Sequence, residues 1–215
     1  MPKKEVPLSQ LSDYLPPDTY EPVLAYLRYY KVQLTIAKHR ASILGNYRHR
    51  GLASHHQISV NGNLNRYAFL VTLLHELAHL VAFEKYGKRI LAHGKEWKTV
   101  YGNILAQFVE KNVFPSDIES ELRKTLESPG ASTCSEENLQ RVLYRYDTRR
   151  NGFKLVEDLR EGELFEIKGG RKFRKGKKRT KRYECFEIAT GRKYLFTAVY
   201  EVKQIAENEV AIQKS

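Results

Sequence analysis

Residues 72–97 read TLLHELAHLVAFEKYGKRILAHGKEW: three histidines in an otherwise apolar helical pattern, with Glu76 directly after the first. On a helix, His75 and His79 lie about 40° apart and one turn apart along the axis, so both imidazoles reach one ion. Glu76 sits about 100° round from His75, near a water on that ion but outside its ligand set. Such imidazoles suit zinc, which keeps an open position when three protein groups hold it. Glu84 points to the opposite helix face and is set aside. His93 is the better third ligand. The helix carries the chain about 12 Å from His79 to Gly87, and the six steps from there to His93 span up to about 20 Å on the return. A lone carboxylate inside FLVTLLHELAHLVAF would cost several kcal/mol, and a cation removes that cost. The expectation is one Zn2+ held by His75, His79 and His93, with Glu76 as the catalytic group.

Outward from this stretch, the helical pattern runs from Asn65 to Tyr86, with Gly87 as the left-handed residue that ends it. KEWKTVYGNILAQFVEK and PSDIESELRKTLE read as two further helices, Ser116 and Glu119 forming a capping box in the second. Upstream, EPVLAYLRYYKVQLTIAKH reads as helix then strand, and RASILGNY and HQISVN as short β-branched strands. The polar SPGAST marks a linker over 128–139 between a domain at 1–127 and a β-rich domain at 140–215. In the latter, VLYRYD, LFEIK, RYECFEIA and KYLFTAVYEV alternate in strand fashion. The fold class is α+β. His39, His49, His55 and His56 read as ordinary surface or loop residues.

HQISVN, FLVTLLHELAHL and HGKEW together resemble the SprT family, a zinc metallopeptidase-like group that includes the eukaryotic DNA–protein crosslink protease Spartan. The likeness spans roughly 20–127. It implies a zincin-like domain in which His75, His79 and His93 hold zinc and Glu76 is the general base, acting on DNA-bound or crosslinked proteins. The metzincin pattern is excluded, because it requires Gly where this chain has Ala82 and His where it has Lys85. Many relatives follow the peptidase domain with a four-cysteine zinc ribbon. This chain has two cysteines, of which only Cys185 falls in the β region, so a small all-β, ribbon-like region without its metal is expected. By analogy with other zincins, HQISVN is the expected edge strand for an extended protein substrate. Tyr86 and Tyr101 are among several candidates for an oxyanion donor.

The net charge of +12 is local: KGGRKFRKGKKRTKR (168–182) holds ten basic residues and no acid, and the rest of the chain is only +2. It lies between expected strands and reads as a hairpin tip or mobile loop. Lys168, Arg171, Lys172, Arg174, Lys175, Lys177, Lys178, Arg179, Lys181 and Arg182 would neutralise phosphates of DNA or another nucleic acid, with Phe173 and Tyr183 stacking on single strands. The N-terminus lacks the apolar core of a secretory signal, and the longest apolar run is short of a membrane span. A cytoplasmic protein is expected. The competing reading is a nucleic-acid binder whose zinc only supports the fold.

Overall fold

Helix α2 (Arg66–Tyr86) forms where the sequence sets it. Asn65 caps its start, its side chain accepting from the Ala68 N–H at 3.0 Å. Gly87 ends it at φ +75°, ψ −162°. That combination is extended in ψ rather than the left-handed helical form expected, and only glycine adopts it readily. Twelve residues of α2 are buried, on nearly every face, which makes it the core helix of its unit. By length and composition it would cross a membrane, but 72% of its most apolar window is buried inside the fold.

The computed structural model describes residues 8–38, 43–50, 54–127, 137–148 and 152–211. The chain divides into two compact units, Met1–Asp147 and Thr148–Ser215. In the first, α1 (Tyr20–Tyr29) leads into β1 (Val32–Ala37), followed by β2 (Gly45–Arg48) and β3 (His56–Asn61). The sheet order is β1-β3-β2, with β1 parallel and β2 antiparallel to β3. HQISVN is therefore the central strand, hydrogen-bonded on both sides, and the expected edge is corrected: β2 is an edge. Helix α3 (Lys95–Val109) packs on α2, and α4 (Ser116–Glu127) packs on α3, with Trp97, Leu105, Phe108, Ile118 and Leu122 in the shared core. Glu119, expected in a capping box, instead pairs with Arg123 at 2.7 Å.

A second correction concerns VLYRYD. It lies in and just after helix α5 (Glu137–Arg145), whose Leu139 and Val142 join the core of the first unit. Asn65 donates to the Leu143 carbonyl at 2.9 Å and Tyr146 to Asp117 at 2.7 Å. Six residues of mixed polarity satisfy both the helical and the strand period, and packing against α2 and α4 decides for the helix. Of the expected linker, 128–136 lies outside the described residues, and Glu137, Asn138 and Leu139 are helical.

The second unit is an antiparallel sheet in the order β4-β9-β5-β6-β7-β8. Its strands are β4 (Phe153–Leu155), β5 (Leu164–Glu166), β6 (Lys172–Lys178), β7 (Arg182–Glu187), β8 (Lys193–Thr197) and β9 (Glu201–Ile205), followed by the short α6 (Asn208–Ala211). Val156, Phe165, Phe173, Cys185, Phe196 and Val202 form its core. The mixed α+β class holds for the chain.

Candidate functional site

Helix α2 brings His75 and His79 to one side, one turn apart, and the segment after Gly87 doubles back to deliver His93. The three Nε2 atoms form a near-equilateral triangle with sides of 3.1 Å (75–93), 3.2 Å (75–79) and 3.0 Å (79–93). A tetrahedral zinc with Zn–N of about 2.0–2.1 Å separates its nitrogens by about 3.3 Å. Three neutral imidazoles cannot all pair in this triangle, since each Nε2 is either a donor or an acceptor and at least two of the three must be alike. The donor set therefore fits a zinc ion, and these are a group that could hold a metal among the described residues.

Burial keeps the imidazoles neutral and ready to bind. His75 is buried, and burial followed by the neighbouring His79 and His93 lowers its pKa from 6.5 to about 3. His79 falls to about 4, by burial and then His93, and burial also lowers His93. His93 itself takes the left-handed turn at φ +61°, whereas Gly94, directly after it, has an ordinary φ of −71°. Histidine tolerates this region better than most side chains.

Two features around the triad escaped the sequence reading. Trp97, fully buried, packs against all three imidazoles at centroid distances of 4.6–5.2 Å, and Tyr101 stacks behind it at 5.0 Å. Tyr101 is thus part of the wall supporting the ligands, while Tyr86 is partly exposed at the end of α2. The second feature is Gly45. A Cβ there would lie 2.6 Å from Glu76 Oε1 and 2.7 Å from the Thr72 methyl, so the edge strand β2 runs directly over the buried Glu76 carboxylate. A glycine within a strand signals such close approach.

His49 and His55 are exposed and His39 lies outside the described residues, but the surface reading of His56 is corrected. It is buried, with Nδ1 at 3.0 Å from the Tyr47 hydroxyl and Nε2 at 3.2 Å from Glu84. The Glu84 carboxylate thus serves β3 on the face of α2 turned from the triad. Burial lowers the His56 pKa despite that carboxylate.

The basic segment is a strand and a tight turn rather than a loose tip. Lys172, Arg174, Lys175, Lys177 and Lys178 lie on β6, and Arg182 opens β7. Lys168, Lys177, Lys178, Lys181 and Arg182 are exposed. Arg171 pairs with Glu187 at 2.7 Å and lies over Tyr194, Arg179 pairs with Glu184 at 2.7 Å, and Arg174 and Lys172 donate to the Gly162 and Glu209 carbonyls. Lys175 points inward. Its Nζ donates to the Glu157 and Leu159 carbonyls and lies 4.3 Å from the Tyr183 ring centre. Phe173 is buried in the core, and an exposed aromatic beside the segment is Phe186, opposite Arg174 on β6.

Lys175→Met keeps the apolar stem and strands two carbonyls, at about 1–3 kcal/mol each. The expected result is a lower melting temperature with any salt dependence of oligonucleotide affinity unchanged. A flatter salt dependence at unaltered stability would instead make Lys175 a phosphate contact.

No curated protein and no solved structure matches the chain. The family model described as SprT-like family matches residues 24–120, a span that begins in α1, ends in α4, and contains all three histidines and Glu76. The resemblance carried by HQISVN, FLVTLLHELAHL and HGKEW is thereby shown, and residues 24–120 form a domain similar to the SprT-like family.

Proposed function

We propose that the chain is a zinc-dependent peptidase that cleaves proteins bound or crosslinked to nucleic acid, its C-terminal unit supplying the nucleic-acid contact. The convergence of three imidazole nitrogens within 3.2 Å of one another, with Glu76 beside them, carries this reading. When bound, zinc supplies a Lewis acid for the scissile carbonyl and lowers the pKa of the attacking water to about 7. Glu76 would accept a proton from the attacking water and return it to the leaving amine. Trp97 and Tyr101 hold the imidazoles in place. Strand β2, an edge strand that passes Glu76 at Gly45, is the edge to which an extended substrate adds.

Full-length protein loaded with zinc, incubated with a DNA-binding protein on its oligonucleotide, is expected to yield discrete fragments that a chelator abolishes. Zinc binding and oligonucleotide binding without any fragment would favour the alternative, a non-catalytic nucleic-acid binder with a structural zinc. The nucleic-acid contact is tested separately by replacing Lys177, Lys178, Arg179, Lys181 and Arg182 with Gln. The slope of log affinity against log salt is expected to fall in magnitude by about three to four. An unchanged slope, measured by fluorescence anisotropy, would remove the basic turn from the interface.

A further inference from the structure

Beside the metal-ligand candidates, the fold forms two cavities. One, of about 700 Å3, starts at His93 and runs along α3, past Lys95, Lys98, Thr99 and Asn103. The other, of about 300 Å3, starts at His79, and its walls are Phe83, Ile90, Leu91, Ala82 and Trp97. His49 closes this second cavity as a ring stacked flat on Phe83, 5.0 Å between centroids and 7° from parallel. Among the described residues, its single charged lining residue is Lys88, and no acid lines it.

We propose that the cavity at His79 is a specificity pocket for one large apolar side chain of the substrate, leucine or an aromatic, on a residue flanking the scissile bond. The inference rests on the peptidase reading and names the substrate class for that same site. Three observations support it. The pocket shares His79 and Trp97 with the metal-ligand cluster, so a group seated in it is next to the reacting bond. It sits at the small end of the range for ligand cavities, too small for a folded partner and sufficient for one side chain. Leu91, 78% exposed on the segment returning to His93, places an apolar lip at its mouth. An exposed leucine there has an apolar side chain to cover when the pocket is filled, and the released water favours binding. The Lys88 rim and the absence of acid leave a basic side chain without a partner, which excludes trypsin-like preference.

The test uses zinc-loaded full-length protein and three hydroxamates that share one metal-binding headgroup: acetohydroxamate, N-acetyl-leucine hydroxamate and N-acetyl-lysine hydroxamate. The leucine compound is expected to bind at least tenfold more tightly than acetohydroxamate, and the lysine compound no more tightly. Leu91→Asp, at an exposed position, is expected to cut the leucine advantage at least threefold with zinc content and acetohydroxamate affinity unchanged. Ala82→Leu, which fills the floor, should abolish it. Equal affinity for all three compounds, no binding to the zinc-loaded chain, or an advantage untouched by Leu91→Asp would each overturn the pocket. Because binding requires no turnover, discrimination by a chain that cleaves nothing would sink the peptidase reading and leave the pocket standing.

Discussion

Glu76→Gln is expected to keep its zinc and lose at least about 100-fold in peptide cleavage, the scale on which a positioned general base contributes. The substitution is nearly isosteric, which matters because Glu76 is buried and fits against the backbone of Gly45, where a Cβ would come within 2.6 Å of its Oε1. Glutamine occupies the same space without accepting a proton at neutral pH. One of its two ends donates where the carboxylate only accepted, and the other keeps an acceptor oxygen. The zinc is expected to stay because three imidazoles, not Glu76, converge on it. Metal content and turnover must therefore separate. If Glu76→Gln released the metal, the carboxylate would be a ligand or a fold element. If it cleaved at the wild-type rate, the general-base role would fall and the alternative of a structural zinc would gain.

The histidines were legible because a helix has a fixed period and a chain a finite reach: spacing placed His75 and His79 together, and length alone brought His93 back. The walls were not legible. Trp97 and Tyr101 are four residues apart on α3 and read as core, and only the packing of α3 on α2 turns that core stripe into a support for three imidazoles. Pairing order was equally hidden. HQISVN is the most strand-like segment, and such a segment is preferred in the centre of a sheet, so the edge fell to the weaker β2 with its glycine. In the basic segment, charge density hid the strand period. Phe173 and Lys175 are two apart and share the inner face of β6, so a period of two, applied through the charges, would have placed Lys175 inside.

His93→Ala is expected to lower retained zinc to less than a tenth of the wild-type stoichiometry after dialysis against a mild chelator. Two imidazoles on adjacent turns of α2 remain, one short of the three protein ligands that catalytic zinc sites keep. The fold is expected to survive, since His93 is only half-buried and sits in a turn, while α2 is held by its apolar core. The sign of the pH effect provides an internal control. In the metal-free chain the unfolded state takes up protons on these histidines near 6.5, whereas folded His75 and His79 resist until about 3 and about 4. The unfolded state thus binds more protons across that interval, and stability falls as pH is lowered through it. With His93 gone, the repulsion it exerts on protonated His75 and His79 is relieved. The acid loss of stability in the metal-free variant should therefore be shallower than in the metal-free parent. Zinc retained at wild-type levels in His93→Ala would place the third ligand elsewhere, and the segment returning from Gly87 would lose its part in the site.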